Sequence, residues 1–274
     1  MSTSALQDRH AAFRRLHESG CFVLPNPWDI GSARALEKLG FKALATTSSG
    51  HAWSCGQPDG AMSREQVLAH IRMLVRATQL PVNADFESGF GRDPEGVHES
   101  VLMAVDTGAS GISIEDSTSD AEQPLRSIEE SVARLKAARR AIESTGSGVL
   151  LIGRAENFFV GRPDLDDTVA RIRAYADAGA DCLYAPGIKT PAQIEAIVAA
   201  AGGKPVNLLI GSPTDMTLQD AEALGVRRIS VGGGLARSAW SGFLDASRAL
   251  VERGDFSALA GSPSGAQMNG MFGD

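Results

Sequence analysis

Short apolar runs rich in Val, Ile and Leu alternate along the chain with longer stretches in which apolar residues recur every three or four positions. The short runs have the length of buried strands, and the longer stretches have the period of amphipathic helices. Eight runs read as strands, over residues 21–25, 42–46, 81–86, 111–115, 148–153, 182–184, 205–210 and 227–231, with a helix-like segment between each and the next. Helix starts are marked by Ser63 with Gln66, Ser127 with Glu130 and Thr217 with Asp220, and by Asp93 and Thr190 directly before Pro94 and Pro191. Each offers a side-chain oxygen where the first helical N–H groups lack partners. Helix ends are marked by Gly40, Gly108, Gly179 and Gly225, which precede the second, fourth, sixth and eighth runs and suit a left-handed residue.

Strict alternation of strand and helix implies parallel strands joined by crossovers. Eight such units in 274 residues match a closed (β/α)8 barrel of the TIM type, which takes roughly 250 residues as one domain. The alternative is an open doubly wound sheet split into two lobes. No Pro/Ser/Gly-rich linker interrupts the middle, so the expectation is one barrel domain over residues 1–260 with a short N-terminal helix. Residues 261–274 are expected to form a loose tail or an arm for a neighbouring subunit.

Composition narrows the function classes. The chain is 43% hydrophobic and 22% charged, with 26 Lys and Arg against 33 Asp and Glu and a net charge of -7. No basic run is present that could track a phosphate backbone, so a nucleic-acid partner is not expected. Residues 1–20 lack the apolar core of a signal peptide, and no stretch approaches the roughly 20 apolar residues needed to span a bilayer, so no membrane partner and a cytoplasmic location are expected. Cys21, Cys55 and Cys182 are scattered and form neither a CxxC nor a metal-ligand spacing; reduced thiols are expected, with Cys21 and Cys182 in the core and Cys55 in a loop.

In a parallel barrel, chemistry is built at the carboxyl ends of the strands. There the chain places Thr46-Thr47-Ser48-Ser49-Gly50, Asp85-Phe86-Glu87, Glu115-Asp116 and Arg154-Ala155-Glu156 after the second to fifth runs, and Asn207 in the seventh. Asp85 and Glu87 are two apart on a segment read as extended, so both point into the barrel mouth, and Glu115 comes from the next strand. Converging carboxylates repel one another unless a cation sits among them, which suits Mg2+, with Mn2+ as an alternative. Arg154 offers a fixed fork for a substrate carboxylate. A structural ion-pair network closing the barrel top is the competing reading. The Ser88-Gly89-Phe90-Gly91 stretch reads as a flexible loop beside the acids and favours function.

At these residues the chain resembles the isocitrate lyase/phosphoenolpyruvate mutase superfamily, nearer its short, methylisocitrate lyase-like members. The resemblance spans nearly the whole chain and rests on Leu24-Pro25-Asn26-Pro27-Trp28-Asp29, Thr46-Thr47-Ser48 with Gly56-Gln57-Pro58-Asp59, Asn83-Ala84-Asp85-Phe86-Glu87-Ser88-Gly89-Phe90-Gly91, Ile114-Glu115-Asp116 and Gly153-Arg154-Ala155-Glu156. It implies a barrel that exchanges its last helix with a neighbour, a homotetramer, and Mg2+ bound beside a 2-oxo acid or its enolate. It implies Asp85 as direct metal ligand, with Glu87 and Glu115 holding metal-bound waters and Asp59 meeting the site from the second loop. Thr47 and Ser48, with Ser49 adjoining, would hold the substrate carboxylate, and Arg154 would contact the reacting oxygens, with Asn207 a further substrate-binding candidate. Asp59, Arg154 and Glu115 are the catalytic candidates. The family usually has Asp at the position of Glu87.

The departures bear on the reaction. The superfamily's lyases carry a Cys as acid/base in the loop after the fourth strand, and its mutases carry Lys and Asn there; residues 117–126 read STSDAEQPLR, with none of these. Ala185-Pro186-Gly187 stands where the lyases have a Glu. Decarboxylation of an oxaloacetate-like acid needs the least from such a site, because a metal stabilises the enolate and water can protonate it. The expectation is thus a Mg2+-dependent lyase acting on a small 2-oxo or 2-hydroxy (di)carboxylate, by C–C cleavage or decarboxylation. His51 and Tyr184 are candidates for the missing acid. The alternatives are a P–C bond enzyme akin to phosphonopyruvate hydrolase or phosphoenolpyruvate mutase, a sugar-phosphate barrel using Gly232-Gly233-Gly234, and a catalytically silent metabolite-binding barrel.

Overall fold

The computed structural model describes residues 3–273; Asp274, at the tip of the expected tail, lies outside them. Eight strands, β1 (Phe22–Leu24), β2 (Leu44–Ala45), β3 (Val82–Asp85), β4 (Gly111–Glu115), β5 (Leu150–Arg154), β6 (Cys182–Tyr184), β7 (Val206–Leu209) and β8 (Arg228–Ser230), fall within or against the eight apolar runs. All pair in parallel in the order β1-β8-β7-β6-β5-β4-β3-β2. The seam between β1 and β2 is bridged by the Ala45 N–H donating to Pro25 O at 3.0 Å. Asn26 stitches the same rim: its amide N–H donates to Thr46 O, while its carbonyl accepts from the N–H groups of Val231 and Gly232, all at 2.9 Å. The ring is therefore a nearly closed TIM-type barrel. Most strands start a residue or two inside their runs; β5 starts at Leu150 rather than 148, because Gly148 sits at a φ of 75° after the left-handed Gly146 that caps the preceding helix.

The helices are α1 (Thr3–Leu16), α2 (Ile30–Lys38), α3 (Ser48–Ser54), α4 (Arg64–Ala77), α5 (Pro94–Asp106), α6 (Ile128–Thr145), α7 (Leu165–Asp177), α8 (Pro191–Ala200), α9 (Leu218–Ala223), α10 (Gly234–Arg253) and α11 (Gly265–Phe272). Every start signal named above operates: Ser63, Thr190 and Thr217 form capping boxes, and the side chains of Asp93 and Ser127 accept from the third helical N–H. Gly40, Gly108, Gly179 and Gly225 all have φ near +90°. A cap of this kind contributes about 1 kcal/mol.

Two cores result. One joins the outer faces of the strands to α4–α8, around Ile71, Ile112, Leu151 and Tyr175. The other lies inside the barrel, where Phe13 of α1 meets Leu24, Ala45, Leu150 and Cys182 and plugs the amino end. Above it lies a buried polar layer. Arg228 donates to Asn207 Oδ1 (2.9 Å) and approaches Asn83 Oδ1 (3.4 Å) and His17 Nε2 (3.3 Å), while Asn83 donates to Ser113 Oγ. Gly111 is dictated here, since a Cβ would stand 2.5 Å from Asn83 Oδ1 and 2.8 Å from Phe13.

Helix α10 touches α3 at its start, where Ala236 lies against Gly50, but leaves Trp240, Phe243, Leu244 and Val251 exposed. In the C-terminal segment α11 packs on α2, and Lys38 Nζ donates to Gly273 O at 2.8 Å.

Candidate active site

The carboxyl ends of the strands open into a cavity of about 540 Å3. One wall is polar and is built from Thr46–Thr47–Ser48–Ser49, Asp59, Asp85 and Arg154; the other comes from the loops after β5 to β8. Thr46, at the end of β2, accepts the Asp85 N–H at 2.8 Å, and the Ser48 N–H donates to Asp85 Oδ2 at 3.0 Å. Thr47 caps α3 by accepting from Gly50 N–H and also pairs with Ser49 Oγ at 3.1 Å. Gly50 must stay small, because a Cβ would meet Thr47 Cγ2 at 2.7 Å.

Arg154 ties the strand ends together. Its Nη1 donates to Asp85 Oδ1 at 3.1 Å and lies 3.0 Å from Glu115 Oε2, and its Nε donates to Glu156. The guanidinium also sits over the Tyr184 ring, 5.1 Å from its centroid. Nη2 has no protein partner among the described residues, so its two N–H groups are unspent. Burial opposes the charge of Arg154, but Glu156, Glu115 and Asp85 outweigh it and keep the group protonated. The competing expectation of an ion-pair network is therefore part of the picture, and the network leaves one side of its cation for a ligand.

Burial raises the carboxyl pKa of Glu115, against the pull of Arg154, and Ser117 Oγ donates to it. The next residue faces the other way. Asp116 is buried behind the barrel wall, where it accepts from Arg171 (2.9 Å), Tyr175 (2.5 Å) and the Glu156 N–H (2.8 Å). It is a structural acid that fixes the ends of β4 and β5. Tyr184 is buried, and desolvation pushes its hydroxyl up to about 12, so it remains an O–H donor.

Glu87 departs from the sequence reading. The extended segment ends at Asp85, and Glu87 occupies a turn with φ 46°, so strand alternation does not aim it. A nearby contact holds it instead: its carbonyl accepts the Glu115 N–H at 2.9 Å. Its Oε1 is buried with no hydrogen-bond partner. Burial, and then repulsion from Asp85, Glu115 and Asp59, push its pKa up to about 8. Asp59 lies at the exposed rim; sheltering on its inner side, and then Asp85, raise its pKa as well.

The glycine stretch after Glu87 is not a free loop. Gly89 and Phe90 are left-handed, and a Cβ on Gly91 would stand 2.2 Å from Val97 N. From beneath, the buried Arg134 of α6 donates to the carbonyls of Ser88 (2.9 Å) and Gly91 (2.8 Å). Residues 117–126 also fold on themselves, with Ser117 bridged to Leu125 and Thr118 N–H donating to Pro124 O.

Asn207 reaches the cavity floor, but both ends of its amide are engaged, with Ser230 and Arg228. Of the two candidate acids, Tyr184 lines the cavity and His51 does not; His51 stacks on His70 at 3.7 Å and has its Nδ1 3.9 Å from Cys55 Sγ. Cys182 is buried, Cys21 is half-buried and Cys55 is exposed.

Among the described residues no group of three or more His, Cys, Asp or Glu is arranged as a ready-made cage for an ion. The donor set nonetheless suits Mg2+, which needs only one or two carboxylates with waters and substrate oxygens. Asp59, Asp85, Glu87 and Glu115 gather around a single cation, Arg154, and the orphaned Oε1 of Glu87 is the buried acceptor that a divalent ion or its water would satisfy.

The family model for phosphoenolpyruvate phosphomutase matches residues 13–251. The chain belongs to that family. It is thereby an enzyme of the phosphoenolpyruvate mutase/isocitrate lyase superfamily, as its motifs implied. A crystal structure from Burkholderia cenocepacia J2315, itself assigned no further than lyase or mutase, is 46% identical and superposes with a TM-score of 0.95 over 98% of each chain. The oxaloacetate decarboxylase of Rhodopseudomonas palustris (strain ATCC BAA-98 / CGA009) is 33% identical over 83% of this chain and 78% of its own. Oxaloacetate acetylhydrolase, solved with its product oxalate, is 25% identical, with a TM-score of 0.85 over 97% of this chain and 94% of that one. No helix among the described residues is long and apolar enough to cross a membrane.

Sequence reasoning missed Arg134 and Arg228. Arg134 lies in a helix whose charged residues read as solvent-facing, and nothing local marks it as buried. Arg228 opens β8, where a charge in a barrel interior runs against the apolar pattern; that conflict was the available signal.

Proposed function

We propose that this family member is a divalent-metal-dependent lyase that decarboxylates a 3-carboxy-2-oxo acid of the oxaloacetate type. The observation that carries the reading is the chemistry of the cavity lining, which has Arg154, serine and threonine hydroxyls and Tyr184 but no imidazole or thiol among the described residues. Such a lining suits a reaction that needs charge stabilisation more than proton shuttling. The C3–carboxyl bond breaks, its electron pair enters the C2–C3 bond to give an enolate, carbon dioxide leaves, and a proton from water is delivered to C3.

Mg2+, held by Asp85 with Glu87 and Glu115 around its waters, would supply Lewis-acid stabilisation of the developing enolate oxygen. The chain's own residues do the rest. Arg154 offers the unspent N–H groups of Nη2 to the 2-oxo acid oxygens, the hydroxyls of Thr47, Ser48 and Ser49 take the terminal carboxylate, and Asp59 orders water at the rim. Tyr184, protonated and stacked under Arg154, donates a hydrogen bond towards the same oxygens. The relatives named for oxaloacetate chemistry support this reading over P–C cleavage, which asks for cations near phosphorus; the 117–126 stretch offers mainly acids, and its Arg126 is paired with Glu130 and the Ser117 carbonyl. The exposed apolar face of α10, together with the family resemblance, supports a homotetramer built through that helix.

The test is to incubate the protein with oxaloacetate, methylisocitrate, dimethylmalate and phosphonopyruvate, with and without Mg2+. Metal-dependent pyruvate release from oxaloacetate is expected, and Asp85→Ala should abolish both that release and metal-dependent oxalate binding. Undiminished oxalate binding by Asp85→Ala overturns the metal assignment. Turnover of phosphonopyruvate alone overturns the reaction.

A further inference from the structure

The cavity is chemically two-sided. Asp59, Asp85, Arg154 and the hydroxyls occupy one wall; opposite them Trp53, Phe159, Ile188, Ile194, Ile210 and Met216 form an apolar stretch, flanked by Lys189 and Arg237. Ile188 and Ile194 are buried and belong to the core, so that part of the apolar wall is rigid. Phe159, just beyond β5, is 58% exposed and lacks a partner in the ring contacts of the described residues. The volume, about 540 Å3, falls among pockets that enclose drug-sized ligands, whereas oxaloacetate is much smaller and polar at both ends. A dicarboxylate alone would leave the apolar wall facing water. Ala185-Pro186-Gly187, directly after β6, carries no charge; the segment's charge on the lining is Lys189, beyond Ile188. Gly187, at a φ of 92°, has its Cα against Phe158, where a Cβ would come within 2.7 Å, so the backbone there is held close to the aromatic pair at 158 and 159.

We infer that the preferred substrate carries an apolar substituent on C3, as a 3-alkyl or 3-aralkyl derivative of the 3-carboxy-2-oxo acid, with the substituent seated between Phe159 and the Ile188/Met216 side. This deepens the decarboxylation reading and rests on it for the reaction, though not for the binding. The chemistry is unchanged: the C3–carboxyl bond breaks, its electron pair forms the enolate, carbon dioxide departs, and a proton from water reaches C3 to leave the 3-substituted 2-oxo acid. Burying each methylene of the substituent removes apolar surface from water, which is worth roughly a three- to fourfold gain in kcat/KM per carbon until the wall is filled.

Two measurements test the inference separately from the reaction. The first compares Mg2+-dependent carbon dioxide release from oxaloacetate and its 3-methyl, 3-propyl, 3-butyl and 3-benzyl derivatives. The expected result is kcat/KM rising along the series, and the rise collapsing in Phe159→Asp, at a largely exposed position where a polar replacement is tolerated by the fold, and shrinking in Met216→Gln, which keeps the chain length of a residue packed partly against the core. The second measures binding of oxamate and N-butyl oxamate by calorimetry in the presence of Mg2+, with a tenfold or greater gain expected for the butyl compound in the wild type and little gain in Phe159→Asp. Turnover of oxaloacetate with flat or falling values for the substituted acids, and no gain for N-butyl oxamate, overturns the inference and leaves the reaction standing. No turnover of any acid, with a clear gain for N-butyl oxamate, overturns the reaction and supports the apolar subsite. If a second copy of the chain fills the wall instead, N-butyl oxamate binds no better than oxamate, and the inference fails.

Discussion

Arg154 Nη1 and Asp85 Oδ1 meet at 3.1 Å across the end of β4, which separates their strands in the sheet. Glu115 of that middle strand joins the same nitrogen at 3.0 Å. One cation thus fixes the ends of three successive strands and, through Asp85, the backbone of Ser48. Stability and the proposed substrate binding rest on the same side chain. Removing a partner from a buried ion-pair network leaves uncompensated charge and costs about 3–5 kcal/mol.

Arg154→Met should therefore lose turnover by about three orders of magnitude and melt roughly 6–20 °C lower, at the 2–4 °C per kcal/mol usual for a chain of this size. Arg154→Lys keeps the charge but not the planar fork. It should recover part of the melting temperature and little of the activity. Thermal unfolding and carbon dioxide release measured on both variants check this; wild-type turnover by Arg154→Lys would show that the fork is not used.

Glu87 sets a pH dependence. Its pKa is raised to about 8 in the folded chain from an ordinary value near 4.5, so between those values the folded state holds a proton that the unfolded state has released. The metal-free protein should lose stability as pH rises from about 4.5 to 8 on this account, and no further above 8. Glu87→Gln removes the titration and should flatten the melting temperature over that range. Metal binding works in the opposite sense, since it requires the ionised carboxylate: affinity for Mg2+ should increase through pH 8 with release of a proton. Calorimetry in buffers of different ionisation enthalpy reads that proton directly, and its absence would count against Glu87.

Much of this site was legible in the chain because its parts are local. The barrel follows from eight apolar runs with their capping residues, and the acids follow from strand ends, which is where Asp85, Glu115 and Arg154 stand. What was hidden depends on long-range geometry. Glu87 and Asp85 look like strand neighbours by spacing, but the left-handed turn at Glu87 forms because its carbonyl is captured by the Glu115 N–H, 28 positions away in sequence. Asn207 reads as a site residue by position, yet its amide is consumed by Arg228, a buried charge that strand propensity does not predict. The glycines after Glu87 suggested mobility, and only the fold brings Arg134 beneath them.

Arg134 should consequently matter to metal binding from a distance. It touches neither substrate nor metal candidates, but its donations to the Ser88 and Gly91 carbonyls hold the turn that presents Glu87. Arg134→Lys can satisfy at most part of that set with a compact ammonium. It should weaken apparent Mg2+ affinity about tenfold while leaving kcat at saturating metal within a few-fold of wild type. Titration of activity and of tryptophan fluorescence with Mg2+ separates the two quantities; a fall in kcat with unchanged metal affinity would assign Arg134 a purely structural part.

The exposed face of α10 bears on the homotetramer proposed above. Phe243, Val251 and Phe256 are 60%, 83% and 72% exposed, and Trp240 stacks edge-on against Phe243 at 5.5 Å. A run of large apolar residues along one helix and the segment after it is costly in water and marks a protein contact. A second copy of the chain is the partner the family resemblance names, and exchange of this helix between copies would bury the face without altering either barrel. Phe243→Glu places a charge in that contact and, within one chain, removes only the edge-on contact with Trp240. Analytical ultracentrifugation at micromolar concentration should give a tetramer for the wild type and a smaller species for Phe243→Glu, with the circular dichroism spectrum unchanged. A monomeric wild type would refute the assembly and leave the apolar face to another partner.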